Sequence, residues 1–362
     1  MRHLRLVIGL AVGALFVWLL VRRLDFEALW RSLQGIRYPL LIPSLALALL
    51  GFVARAYRWG YLFVADERIP FRKLYTATMI GFMGNALLPA RAGEFIRAYV
   101  LSRSHGNLAA SKAFATIVGE RILDGIALTL LLCLVLTVLP AGEPVVIPEG
   151  TFFEQSVTIT EGWFLRIAAG ALGVFAVAAV VVALIYLKGD AVARVLGLTV
   201  SRFSERAGER VTQLITAFAS GFAVVRDKRR LARASILSVL VWAPAALAIN
   251  PMLRAFPSAV HWPWYTSIVV LTVVCVGIMI PASPGFVGTF HAFCVVALML
   301  CAPIDFDSAV AFSVMYHGAT MVALVAVGLI CLWVENLSFV EVARRAVSGP
   351  GSEGAGQTSH DA

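Results

Sequence analysis

The chain has 362 residues, 60% of them apolar and 14% charged, with a mean hydropathy of +0.86. That is too little charge to coat a soluble domain, so the composition excludes a soluble globular protein and predicts an all-α polytopic helical membrane protein. The formal charge of +9 comes from Lys and Arg gathered in a few loops, the positive-inside pattern, and no basic patch is interleaved with exposed aromatics as nucleic-acid binding requires.

Met1 to Arg23 opens with Arg2 and Arg5, runs apolar from Leu6 to Val21, and continues with Arg22 and Arg23 where signal cleavage would need small residues. It reads as a retained first span, with Gly9 and Gly13 forming a GxxxG for close helix packing. Leu24 to Tyr38 sets Asp25, Glu27, Arg31 and Arg37 among Phe26, Leu29, Trp30 and Leu33, the spacing of an amphipathic helix at the interface. A second span follows over Pro39 to Tyr57. At its border, Arg55 and Arg58 either anchor the interface beside Tyr57 and Trp59 or hold an anionic headgroup.

The next stretch, Leu74 to Leu101, is apolar to Leu88, breaks across Pro89 to Gly93, and resumes as a polar-faced helix carrying Arg91, Glu94 and Arg97. Each ionised side chain at mid-membrane costs about 2.5–3.5 kcal/mol, so three need pairing or water. Broken backbone is tolerated at that depth only around a cavity, which is the setting of a transporter's substrate site. The third full span, Ala113 to Leu139, contains Glu120, Arg121 and Asp124, with the two acids four apart on one face. Their expected partners are Arg91 and Arg97.

Pro140 to Gly162 lacks Lys and Arg and carries four glutamates, which marks an outer loop. Trp163 to Leu187 spans inward. Lys188 to Arg233 is the basic cytoplasmic segment, with Val211 to Val225 an apolar or amphipathic helix on the membrane. Ala234 to Asn250 spans outward, and Pro251 to Trp264 is a short aromatic loop. Tyr265 to Cys301 is interrupted by IPASPGFVGTFHAF, Ser308 to Val334 forms the last span, and Arg344 with Arg345 keeps the C-terminus inside.

The expected organisation is therefore a first membrane half over 1–139 with a hairpin at 74–101, an outer loop at 140–162, and a second half over 163–334. The second half holds the basic segment 188–233 and a hairpin at 265–301, and a disordered cytoplasmic tail follows at 335–362. This amounts to about six full spans plus two broken, re-entrant hairpins. The motif P-A-x-x-G occurs in both hairpins, as Pro89-Ala90-Arg91-Ala92-Gly93 and Pro281-Ala282-Ser283-Pro284-Gly285. Each copy follows two spans and precedes one, as in an inverted repeat; two unrelated proline kinks are the plainer alternative.

The stretch NALLPARAGEFIRAYVLSR, then ERILDG at Glu120 to Gly125, then IPASPGFVGTF resembles the transmembrane flippase region of the lysylphosphatidylglycerol synthases, over nearly the whole chain. The resemblance implies a multi-pass inner-membrane protein, both termini cytoplasmic, that moves or helps to move an anionic or modified lipid between leaflets. Two-domain members add a soluble aminoacyltransferase, and this chain ends soon after its last span, so lipid aminoacylation is not expected of it. The resemblance carries Asn85, Pro89, Arg91, Gly93, Glu94 and Arg97, then Glu120, Arg121 and Asp124, then Pro281, Pro284, Gly285 and Gly288. It departs at His291 and His317, where the family pattern has Glu and Arg, so two histidines would stand in for an acid and base pair.

The candidate substrate-binding set is Arg55, Asn85, Arg91, Glu94, Arg97, Glu120, Arg121, Asp124, Ser283, His291 and His317, with structural breaks at Pro89, Gly93, Pro281, Pro284, Gly285 and Gly288. Arginines offer planar forks to a phosphate, and the acids keep them oriented when no lipid is bound. A static ion network that fixes helix packing is the plainer alternative. No catalytic residue, cofactor or metal is expected; His261, His291 and His317 lack metal-ligand spacing, and no cysteines form a CxxC. The expected partners are a membrane lipid and a lipid-modifying or glycosyl transferase. Two other classes stay open: a glycosyltransferase with a polyprenyl phosphate donor, using the acids of Asp25-Phe26-Glu27 or Asp305-Phe306-Asp307, and an accessory subunit of a lipid or glycan pathway. No nucleotide-binding or nucleophile motif is present.

Overall fold

Apolar runs of this length leave the backbone no hydrogen-bond partner but itself, and the described residues are helical nearly throughout. The computed structural model describes residues 26–64, 67–88, 91–106, 108–138, 145–147, 157–159, 161–202, 204–222, 227–256, 261–279 and 283–348, with Leu15, Val17, Trp18 and Val21. The first span expected over Leu6 to Val21, and the breaks expected at Pro89 and Pro281, lie outside these residues or nearly so.

After α1 (Phe26–Gln34) and a 3-10 turn at Tyr38–Leu40 come α2 (Leu41–Gly60), α3 (Phe71–Leu87), α4 (Gly93–Ser104) and α5 (Ala110–Val138). A two-stranded antiparallel ribbon, β1 (Val145–Ile147) with β2 (Val157–Ile159), sits in the expected outer loop and pairs Val146 with Thr158. Its β-branched residues suit a ribbon, which the reading of this loop by charge alone passed over. Then follow α6 (Glu161–Ser201), α7 (Glu205–Ser220), α8 (Lys228–Leu240), α9 (Trp242–Ala255), α10 (Thr266–Gly277), a 3-10 turn at Pro284–Phe286, α11 (Thr289–Cys301), α12 (Phe306–Val334) and α13 (Phe339–Ser348).

Among the described residues, five helical stretches are long and apolar enough to cross a membrane: Tyr38–Gly60, Ala110–Val138, Lys228–Ala255, Pro284–Cys301 and Phe306–Val334. The protein is a multi-pass helical membrane protein, and Ile42, Leu50, Leu130, Val322, Leu329 and Trp333 form part of the apolar surface that lipid would cover. The third of these stretches is divided at Val241, between α8 and α9, where Pro244 has no N–H for the Leu240 carbonyl. In α6 the backbone leaves helical geometry at Lys188 (φ −126°, ψ 25°), where the basic segment begins.

Three expectations need correction. The helix expected over Val211 to Val225 begins at Glu205, whose carboxylate suits a first helical turn. The hairpin at 265–301 is unequal: α10 is short, whereas the 3-10 turn runs on into α11 and gives the second arm spanning length. The segment 335–362 is not wholly a disordered tail, because Phe339 and Val342, three apart, give α13 an apolar face and Val342 is fully buried.

The core is two clusters. One gathers Ile249, Met252, Val269, Val270, Leu298 and Phe312 from α9, α10, α11 and α12. The other gathers Trp59, Met79, Ile80, Met83, Ile96, Leu101 and Ile117 from α2 to α5. Helix α12 belongs to both, with Phe312 in the first and Leu324 and Leu332 in the second, so it fastens the two halves together.

Candidate functional site

Arg55 and Arg58 are three apart on α2 and therefore share a face; Glu94 and Arg97 do the same at the start of α4, and Glu120, Arg121 and Asp124 fill one turn of α5. Packing α2, α4 and α5 together brings all seven into one cluster. Arg97 forms a fork on Glu120, with Nη1 donating to Oε1 at 2.9 Å and Nη2 to Oε2 at 3.0 Å. Arg58 Nη2 stands 3.1 Å from Glu120 Oε1, while its Nη1 donates to Asp124 Oδ1 and, at 3.1 Å, to Ser238 Oγ on α8. Arg121 Nη2 donates to Glu120 Oε1 at 2.7 Å and lies 3.3 Å from Asp124 Oδ2. Glu94 approaches Arg121 Nε at 3.9 Å, and Arg55 reaches Asp124 Oδ2 at 3.6 Å.

Arg58 and Glu120 are completely buried and Arg97 is 2% exposed, so these charges exist only because they compensate one another. Aromatic faces complete the enclosure: the Arg97 guanidinium lies 3.8 Å from the Trp59 ring centre and that of Arg55 lies 4.7 Å from Trp242. Trp59 is itself fixed by donating from Nε1 to Thr116 Oγ1 at 2.9 Å. The balance is cationic, since four guanidiniums face three carboxylates. Among the described residues, Nε of Arg58, Arg97 and Arg121 has no hydrogen-bond partner. Such a centre is complementary to an anion.

Asn85 and Arg91 stand apart from this cluster, at the break between α3 and α4. Asn85 Oδ1 accepts from the Gly93 N–H at 2.9 Å, closing the break. A Cβ on Gly93 would overlap the Gly81 carbonyl oxygen, so only glycine lets the two arms approach this closely. The pairing of Arg91 with Glu120 or Asp124 is not found: Arg91 sits in the turn at φ 53°, ahead of α4, and its Nη2 donates to the Ile278 carbonyl at 2.9 Å instead. Arg58 takes the place expected for it.

The second break contributes Ser283, whose Oγ donates to the Val287 carbonyl at 2.7 Å, and Gly285, at φ 64°, packed on the Ala86 carbonyl of the first break. Pro284 begins the 3-10 turn, and Gly288, at φ 91°, precedes α11 and donates its N–H to His291 Nδ1 at 3.2 Å. That bond places the His291 proton on Nε2. The His291 and His317 rings are 4.9 Å apart between centres, with Phe290 4.3 Å from His317. The structure thus sorts the candidate residues into an ionic cluster, two touching breaks and a histidine pair. Over their described residues the two P-A-x-x-G copies do not share a backbone conformation: positive φ falls on Arg91 in the first and on Gly285 in the second.

Arg58 and Ser238 are the members that the candidate set lacks. The signal for Arg58 was present, because a residue three from Arg55 on a helix must face the same way. Ser238 had none, being one of two serines in α8 with nothing in the sequence to set it apart. Among the described residues no group of three or more His, Cys, Asp or Glu side chains converges as a metal site requires.

Comparison with known proteins adds three findings. The family model described as the lysylphosphatidylglycerol synthase TM region matches residues 6–328. Glycosyltransferase AglD of Haloferax volcanii is 29% identical over 251 residues, 67% of this chain and 40% of that protein. A UPF0104 membrane protein of Pyrococcus horikoshii is 26% identical over 136 residues, 37% of this chain and 39% of that protein. The matches thus span about two fifths of the length of each of these curated relatives. No solved structure matches.

Proposed function

The chain belongs to the lysylphosphatidylglycerol synthase transmembrane-region family, and from that premise we propose that it moves an anionic or modified phospholipid, glycolipid or polyprenyl-type lipid between leaflets of a bacterial-type inner membrane. One observation carries this reading: a buried cluster of Arg55, Arg58, Arg97 and Arg121 outnumbers the carboxylates Glu94, Glu120 and Asp124 at the meeting point of three helices. A lipid phosphate passing this point exchanges its water for guanidinium donors, which lowers the cost of crossing the hydrocarbon. The carboxylates hold those donors in place when no lipid is there. The two broken hairpins would enter from opposite faces, as an inverted repeat, and their contact would part to let the headgroup through. Without a nucleotide-binding motif, movement in this reading is not driven by nucleotide hydrolysis on this chain, which acts as a carrier rather than an enzyme, and its partner is a transferase that makes or consumes the lipid.

The test is scrambling of a fluorescent anionic lipid in proteoliposomes, by wild type and by Glu94→Gln and Arg55→Gln, each tied to the cluster by an ion pair longer than a hydrogen bond, 3.9 Å and 3.6 Å, and so the least disruptive members to change. Expected is activity in the wild type and loss in both variants; wild-type vesicles no faster than protein-free ones would overturn the proposal.

A second reading, a membrane glycosyltransferase with a polyprenyl phosphate donor, has support in the likeness to a protein named Glycosyltransferase AglD. Against it, Asp305 is occupied as a helix cap, accepting from the Ser308 N–H at 2.8 Å. Loss of a glycolipid product on Asp307→Asn, with scrambling intact, would favour this second reading.

A further inference from the structure

A cleft of about 190 Å³ lies beside the ionic cluster, open along one side and walled by Leu45, Leu49 and Phe52 of α2, Phe82 of α3, Phe290 of α11 and Met321 of α12. Arg55 is the charged residue among those that line it. Its guanidinium lies against the Trp242 ring but keeps its donors: Asp124 Oδ2 is 3.6 Å away, beyond hydrogen-bond reach, and among the described residues Arg55 donates no hydrogen bond. A cation with free donors at the end of an apolar cleft asks for an anionic oxygen attached to hydrocarbon.

We propose that this cleft is a binding site for a monoanionic glycerophospholipid, one acyl chain lying between α2 and α12, its phosphodiester on Arg55, and its second chain left in the bilayer. Charge selects the occupant. Four arginines against three carboxylates leave one surplus positive charge, which a phosphodiester carrying a single negative charge balances. A zwitterionic lipid would add a cation beside Arg55 and Arg58, and a phosphate monoester, at about −1.5 to −2 near neutral pH, would overshoot. The cleft's apolar walls suit an acyl chain rather than a headgroup. This inference rests on the transport reading only in taking the bound lipid as the one that is moved.

The experiment uses the full chain in nanodiscs with phosphatidylglycerol bearing a photoreactive group in one acyl chain, and maps the labelled peptides. Expected is labelling of α2 and α12 that unlabelled phosphatidylglycerol competes and phosphatidylcholine does not. Labelling should fall about tenfold in Arg55→Gln, the factor of one charge-assisted hydrogen bond, and as far in Ala48→Phe, which fills the cleft. Ala323→Phe, across the cleft, serves if Ala48→Phe does not fold. Equal labelling by a phosphatidylcholine probe, or stronger labelling by a photoreactive polyprenyl phosphate, would overturn the assignment. Scrambling that survives in Ala48→Phe, with no labelling of the cleft in wild type, sinks the cleft and spares transport; cleft labelling in a wild type that does not scramble sinks transport and spares the cleft.

Discussion

Arg91 and Ile278 are 187 positions apart in sequence, yet Nη2 of the first donates to the carbonyl of the second at 2.9 Å. The contact joins the turn that ends α3 to the turn that ends α10. Gly285 reinforces it, since a Cβ there would stand 3.1 Å from the Ala86 carbonyl oxygen. The two broken segments therefore touch each other through backbone oxygens at both points, an arrangement that a modest shift of either turn would undo.

Arg91 also occupies the left-handed region, which costs a non-glycine residue roughly 1–2 kcal/mol. Arg91→Gly removes the side chain and relieves that cost together, so thermal stability should change by no more than about 1 kcal/mol. If the contact between the breaks governs lipid passage, scrambling should change by a larger factor than the melting temperature suggests. An unchanged rate would mean that the contact is only structural.

Gly93 and Gly318 make a matched pair. A Cβ at Gly93 overlaps the Gly81 carbonyl oxygen and crowds Asn85, whereas one at Gly318 meets nothing within 4 Å. Gly93→Ala should destabilise by about 3 kcal/mol or more as the hairpin arms are forced apart. Gly318→Ala, inside α12, should be neutral or stabilising by up to about 1 kcal/mol. Melting in detergent followed by size-exclusion chromatography reads both, and equal melting points would contradict the close approach of α3 and α4.

Glu120 receives Arg97, Arg58 and Arg121, so Glu120→Gln leaves cations buried without their counter-ion. The expected loss is about 3–5 kcal/mol, the cost of breaking a buried pair from one side. Glu94→Gln should cost far less, because Glu94 is partly exposed and only 3.9 Å from Arg121 Nε. A chemical denaturation series on the two variants checks the order; a reversal would put the structural weight at the rim of the cluster.

Much of this architecture was legible in the sequence. Long apolar runs placed the spans over Pro39 to Tyr57, Ala113 to Leu139, Ala234 to Asn250 and Ser308 to Val334, because length and hydropathy together leave few alternatives. Ionisable residues inside apolar segments pointed to the cluster, since each had to find a partner. What sequence could not supply was who pairs with whom. Arg91 and Arg97 are equally basic and six apart, and only the turn that precedes Gly93 sends one toward the second break and lets the other meet Glu120. Helix α13 was hidden for another reason: its short apolar face is set among charged and small residues and lies next to a Gly- and Ser-rich end, so composition reads the whole as tail.

The proposed orientation, with loop 140–162 outside and the basic segment inside, follows from Lys and Arg placement alone. In a background lacking the native cysteines, Gly162→Cys should react with a membrane-impermeant maleimide on intact cells, and Arg229→Cys should react only after lysis. Both positions are exposed. The opposite pattern would invert the orientation.

Helix α13 is held on α4 by two contacts of different kind, the Arg103–Glu341 ion pair and the burial of Val342. The ion pair is roughly half exposed on both sides, 48% and 42%, where such pairs contribute about 0–1 kcal/mol. Val342 is fully buried, and an aspartate there would lose its packing and put a charge into an apolar contact. Glu341→Ala should therefore leave α13 docked, whereas Val342→Asp should release it. Limited proteolysis reads the difference, because a released helix exposes the bonds after Arg344 and Arg345 to trypsin. Cutting after those arginines is expected to be slow in wild type and Glu341→Ala and fast in Val342→Asp. Fast cutting in Glu341→Ala would show that charge, and not apolar burial, fastens this helix to the hairpin.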